Sequence, residues 1–172
     1  MGETLLRKAI QFAGHWMMGL LAGYTKSYGA GSRDVYLVRT DSLGDTLWTK
    51  THGDAGDSIG WSVDLTKDGG FIIAGSAGFD VYLIKTNSLG DSVWTKTYGG
   101  VYKDYGYSIQ QTQDSGFIIT GSFGVFNPNW GEEEALYLVK TNASGDTLWT
   151  RIYGNDTINN TWPDGSEGMS VQ

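Results

Sequence analysis

The 172-residue sequence contains no cysteine. Disulfides, thiolate metal sites and cysteine catalysis are excluded with it. Proline occurs twice and histidine twice, the histidines at positions 15 and 52. Acid–base or metal chemistry at a histidine therefore has only two candidates. Positive charge is also scarce: 12 Lys and Arg stand against 19 Asp and Glu, a net charge of −7. A chain of that sign repels phosphate backbones, so nucleic acid is not expected as a partner. No apolar stretch reaches the roughly 20 residues of a membrane helix, so no membrane insertion is expected.

Glycine, in contrast, is abundant: 26 of 172 residues, roughly twice the usual share of about 7%. With so little proline this is neither a collagen nor a linker composition. It fits many short strands joined by tight turns. Hydrophobic residues make up 40% of the chain, enough for one domain with its own core.

The chain repeats itself. Asp34–Thr51 (DVYLVRTDSLGDTLWTKT) returns as Asp80–Thr97 (DVYLIKTNSLGDSVWTKT) and again as Ala135–Ile152 (ALYLVKTNASGDTLWTRI). A second block, Ser62–Gly75, returns as Ser108–Gly121. Trp48, Trp94 and Trp149 are separated by 46 and 55 residues, a period that suits a four-stranded propeller blade. Four strand-like runs fill one period: A (Tyr107–Thr112), B (Phe117–Gly121), C (Leu136–Thr141) and D (Thr147–Tyr153). Each is rich in β-branched or aromatic residues and bounded by Gly, Asp or Asn. Runs B and C are almost continuously apolar, as in strands covered on both faces. No segment carries a helical period.

Spacing divides the connections into two kinds. From A to B (Val63 to Gly75, Ile109 to Gly121) and from C to D (Tyr36 to Trp48, Tyr82 to Trp94, Tyr137 to Trp149) the step is always 12 residues. From B to C it is 13, 7 and 16, and from D to A it is 15, 15 and 22. In an up-and-down antiparallel blade the two variable connections share one face. That face, comprising 24–33, 100–105, 123–134 and 154–167, is where function is expected.

Gly99-Gly100 after strand D, Asp104-Tyr-Gly106 before strand A, the Asp68-Gly-Gly70 turn and Gly23–Ser27 complete the pattern. Over roughly residues 22–172 it resembles the bacterial secreted and cell-surface β-propeller repeats of the SBBP type. The resemblance implies an extracellular or bacterial cell-surface location and no single activity. Neither the sialidase Asp-box nor the quinoprotein tryptophan-docking motif fits. Gly44, Gly90 and Gly145 precede their tryptophans by four residues, where the Asp-box has three. Thr40 and Asp41 stand in the wrong order for the docking motif.

The expected fold is therefore an all-β single repeat domain over 1–172. It is a β-propeller built from three four-stranded antiparallel blades, at about 7–53, 58–99 and 104–154. Residues 155–172 supply a loop and the start of a further strand A. Three blades are half of a six-bladed propeller or a fragment of a larger one. A homodimer completing six blades, or a longer chain, is expected. Segment 1–22 lacks the Asp-Gly-Gly turn, and three readings stay open: a degenerate first blade, a signal-like apolar region, or a disturbed segment.

No catalytic set is assigned. Trp48, Trp94 and Trp149 recur at fixed spacing and are expected on strand D, mostly buried between blades. His52 stands where other repeats carry Tyr98 and Tyr153, a packing position. Trp130 and Trp162 occur once each on the variable face, beside Tyr102, Tyr105 and Glu133. They are the candidate ligand-binding residues, for a glycan or a protein, with loop anchoring as the alternative. Asp54, Asp57, Asp104, Glu132–Glu134, Asp156, Asp164 and Glu167 share that face. They read as a solvated acidic rim. Calcium is the alternative, although no Asp-x-Asp-x-Asp-Gly loop is present. No other cofactor is predicted. The expected function is a binding or display module; the alternative is a fragment of a propeller-type carbohydrate-active enzyme.

Overall fold

The computed structural model describes residues 4–11, 19–30, 32–127 and 131–153. The described residues form twelve strands in three four-stranded antiparallel sheets, each with its strands in chain order. The first holds β1 (Thr4–Gln11), β2 (Gly19–Thr25), β3 (Asp34–Thr40) and β4 (Thr46–His52). The second holds β5 (Ser58–Leu65), β6 (Phe71–Ala77), β7 (Asp80–Thr86) and β8 (Ser92–Tyr98). The third holds β9 (Tyr105–Gln111), β10 (Phe117–Asn127), β11 (Gly131–Thr141) and β12 (Thr147–Tyr153). The described residues contain no helix.

The repeated sequence signals each have a local cause. In the turn before the last strand of each sheet, Asp41, Asn87 or Asn142 accepts two backbone N–H groups through its Oδ1. Gly44, Gly90 and Gly145 close these turns at φ 89°, 80° and 79°, a region that disfavours any Cβ. In the turn between β5 and β6, Asp68 Oδ1 accepts from the Gly70 N–H at 3.1 Å and from Lys85 Nζ at 3.0 Å. Asp114, Gly116 and Lys140 repeat the arrangement in the third sheet. Both lysines are buried, so their ammonium groups need these partners and the Thr86 and Thr141 carbonyls.

The first strand of each sheet carries a β-bulge at the same place. Pairing skips Arg7 in β1, Trp61 in β5 and Tyr107 in β9. The bulge drives the first strand's backbone onto the second strand. A Cβ on Gly75 would overlap the Ile59 carbonyl, and one on Gly121 the Tyr105 carbonyl. This steric demand is why glycine recurs there.

The core lies between the sheets. Leu20, Ala22, Val35 and Leu37 of the first sheet pack on Val63, Phe71, Ile73 and Ile84 of the second. Ile72, Ala74, Val81 and Leu83, on the other side of the second sheet, pack on Ile109, Phe117, Ile119 and Val139 of the third. The second sheet is thus covered on both sides, which explains its continuous Phe71–Ala74 run.

One expected loop is strand. Of the expected loop 123–134, residues 123–127 and 131–134 prolong β10 and β11, pairing as far as Asn127↔Gly131. Phe123 is buried in the core between the second and third sheets and Tyr102 stacks on Phe126, so the extension has a surface to lie on. The strictly alternating strand order still separates the connections. The 12-residue steps turn at one rim, near 41–45, 66–70, 87–91, 112–116 and 142–146. The variable ones, 26–30 with 32–33, 53–57, 78–79, 99–104 and the Asn127↔Gly131 end of β10 and β11, gather at the other.

Candidate binding cleft

At the variable rim the three sheets leave a cleft of about 460 Å³. Its floor is built by the bulges. Trp61 and Tyr107, the skipped residues of β5 and β9, meet edge to face at 6.0 Å and 83°. Tyr105 stacks on Tyr107 at 5.9 Å. Bulges re-aim side chains, and here two equivalent ones turn aromatic rings into the same space.

The walls are polar and fixed. Arg33, ending the connection from β2, donates from Nε to Asp57 Oδ2 at 3.0 Å and pairs with it through Nη2 as well. Ser32 Oγ also donates to Asp57. Arg33 and Ser32 hold the Asp57 carboxyl down at about 2. Asp57 is therefore an anchored acceptor and not a proton donor. The Ser58 N–H bonds the Arg33 carbonyl at 2.8 Å, tying the connections of the first and second sheets together. On the far wall Lys103 Nζ lies 6.0 Å from the centroid of the exposed Phe79 ring.

The loop carrying Lys103 is held from below. Asp104 is fully buried and accepts from the Gly100 N–H at 2.7 Å and the Gly124 N–H at 2.9 Å. Burial raises its pKa above the usual carboxylate range, against these two bonds, and the Asp80 charge pushes the same way. Gly124 permits the approach: a Cβ there would stand 2.6 Å from Tyr102 Cβ and 2.7 Å from the Lys103 carbonyl.

Of the expected ligand-binding residues, Tyr105 lines the cleft. Tyr102 is half-buried on Phe126 and anchors the 99–104 loop. Glu133 lies on the β10–β11 extension, where Asn127 Nδ2 donates to it at 3.1 Å. Trp130 and Trp162 lie outside the described residues, as does His15. The cleft adds Trp61, Tyr107, Arg33 and Lys103. Repetition hides Trp61 and Tyr107, since both sit in the recurring Gly-aromatic-Ser step of strand A. Their signal is the glycine pair, Gly60 with Gly75 and Gly106 with Gly121, that brackets each bulge. Among the described residues no group of three or more His, Asp or Glu is placed to hold a metal ion.

The repeated tryptophans are not alike in burial. Trp48 and Trp94 are half-buried and pack across to Phe71 and Phe117 of the following sheet, at 5.9 and 6.0 Å. Trp149 is 39% exposed, because no further described sheet follows it. His52 ends β4, the strand of Trp48, and faces the Gly90 turn; burial lowers its pKa below the ordinary histidine value.

No known protein family matches the sequence. No curated protein matches it either.

Proposed function

We propose that this chain is a β-propeller module of the secreted or cell-surface bacterial repeat type, and that it binds carbohydrate through the cleft at its variable rim. Three sheets stacked in chain order, each with the same bulge and the same Asx turn before its last strand, support the blade reading. Two copies completing six blades supply a closed ring. The repeat resemblance supports an extracellular or cell-surface location.

The observation that carries the ligand reading is the pairing of Trp61, Tyr105 and Tyr107 with the locked Arg33–Asp57 pair in one cleft. Aromatic faces stack on the C–H faces of sugar rings, while a fixed guanidinium and carboxylate donate to and accept from hydroxyls. The volume of 460 Å³ falls within the ~300–1,000 Å³ of small-ligand sites. The pair is preorganised, so binding spends little on ordering it.

A glycan array followed by calorimetry tests this. Binding is expected, and Tyr107→Ala, at a ring already 46% exposed, is expected to weaken it at least tenfold while the chain stays folded, with only a small fall in melting temperature from the lost contacts to Trp61 and Tyr105. An array without hits, or hits indifferent to both Tyr107→Ala and Asp57→Asn, would overturn the reading.

A further inference from the structure

The three sheets present the same two faces, and the internal contacts show how one face receives the next. Leu20, Ile72 and Ile118 are equivalent, as are Val35, Val81 and Leu136, by the aligned registers of the second and third strands. In the first two sheets these residues are fully buried beneath the following sheet. In the third, Ile118 is half-buried and Leu136 is 56% exposed.

The rim of the same contact repeats twice in atomic detail. Trp48 lies over the Gly90 turn, where a Cβ would come within 2.8 Å of its ring, and Trp94 lies over the Gly145 turn at the same distance. Lys50 Nζ reaches Asp91 Oδ1 at 2.6 Å, and Lys96 Nζ reaches Asp146 Oδ1 at 3.0 Å. Tyr98 donates its hydroxyl to the Gly145 carbonyl at 2.6 Å. The third sheet carries the donor half once more, as Trp149, Arg151 and Tyr153, with Trp149 39% and Tyr153 49% exposed. The first sheet carries the acceptor half, as Gly44 and Asp45. Asp45 is exposed, and a Cβ on Gly44 would meet nothing within 4 Å.

We propose that the third sheet of one copy docks on the first sheet of a second copy by this same contact, with Trp149 over the Gly44 turn and Arg151 paired with Asp45. The inference deepens the six-blade reading above and rests on it for closure, though not for the contact itself. Charge and shape are complementary: a cation and an indole stand at one end, a carboxylate and an empty glycine turn at the other. The surface is heterologous, head to tail, and two copies joined by two such contacts leave neither half unused. An exposed apolar face of this kind is a common site of association. One position differs. Gly19 stands where Phe71 and Phe117 receive the earlier tryptophans, so the contact between copies is weaker than the internal ones.

Light scattering and sedimentation of the full chain test this. The expected mass is twice 18.7 kDa. Trp149→Asp, and independently Leu136→Asp, should give folded monomers, since both positions are exposed in the single chain. The acceptor variant Asp45→Arg, at an exposed position, should also be monomeric, since it sets a cation against Arg151. Mixing it with Trp149→Asp should restore a dimer, because one intact donor then meets one intact acceptor. A ladder of larger species that Trp149→Asp abolishes would support the contact and overturn only the closed six-blade ring. A monomeric parent chain, or a dimer indifferent to both Trp149→Asp and Leu136→Asp, would overturn the contact. A monomer whose melting temperature falls sharply with Trp149→Asp would overturn it too, since the chain would then cover this face itself.

Discussion

The second and third sheets are built from nearly the same sequence, yet identical positions meet different fates. Lys85 and Lys140 are buried alike, at 6% and 9% exposure, each clamped by an aspartate of its own sheet. Val81 and Leu136, at equivalent positions, are 0% and 56% exposed. Every feature internal to a sheet survives in both: the Asx turn, the Asp–Lys clamp and the bulge. Apart from the longer β10–β11 hairpin, the features that differ are those that need a following sheet. A repeat therefore specifies its own turns and bulge and its face only in part; burial of that face is a property of the neighbour.

The largest test of this contrast is at the equivalent isoleucines. Ile72→Ala empties a fully buried site between two sheets and is expected to cost about 2–5 kcal/mol. Ile118→Ala, at a half-buried site, is expected to cost about 1 kcal/mol. Urea unfolding of the chain kept monomeric by Trp149→Asp measures both. Equal losses would mean that the third sheet's face is covered in the isolated chain, contrary to its exposure.

Next come the tryptophans. Trp94→Ala removes an indole packed on Phe117 and on the Gly145 turn, for an expected loss of roughly 2–3 kcal/mol, below the full range because the ring is half-buried. Trp149→Ala should cost under about 1 kcal/mol in a monomer. The two residues look alike in sequence, so a ratio near one would sink the idea that the neighbour makes the difference.

A smaller effect sharpens the contrast at the variable rim, where the third sheet has what the second lacks. Gly124→Ala would press a methyl group onto Tyr102 and the Lys103 backbone, and is expected to cost about 1–3 kcal/mol. It should also weaken glycan binding, because the displaced loop carries Lys103 into the cleft. Ala77, half-buried at the end of the shorter β6, stands where Phe123 stands in β10, and Ala77→Ser should leave stability nearly unchanged. Thermal melts and titration of the variants read both outcomes.

How much of this was legible in the sequence follows the same division. Periodicity located the strands because each is set by its own turns: Asp68, Gly70 and Gly44 act within a hairpin. The two rims followed from counting residues between Gly and Trp. The strand continuation at 123–127 and 131–134 was not legible, because Phe123, Val125 and Phe126 read as loop until the Asp104-anchored loop beneath them is known. The cleft was half legible. Tyr105 stood out as a variable-rim aromatic, whereas Trp61 and Tyr107 were masked by their regular place in strand A. Their direction depends on a bulge, and a bulge is a pairing event between two strands. The exposure of Trp149 was hidden for a related reason: its burial depends on a neighbouring sheet, and its own repeat is the same as that of Trp94.

The smallest expected effect is in the pH dependence, and it separates a sheet-internal group from one trapped between sheets. Asp68 belongs to the second sheet's own turn, and Lys85 followed by Thr66 lowers its pKa to about 2. Its folded pKa lies below the unfolded value of about 3.9. The stability it adds is thus fully present above pH ~4 and is lost as the pH falls toward 2. The carboxylate faces water, so screening keeps the effect small. Asp104 lies under the loop joining the second and third sheets, and burial raises its pKa. The sign is then opposite: its ionisation is easier in the unfolded chain, and stability declines as pH rises from ~4 through the folded pKa. Urea midpoints between pH 2 and 8 should show Asp68→Asn flattening the acid limb only. Asp104→Asn should remove the decline above pH ~4 while keeping one of the two acceptor oxygens for Gly100 or Gly124. An unchanged slope above pH ~4 in Asp104→Asn would show that the carboxylate is ionised there at no cost, and that the loop joining the two sheets is not sealed.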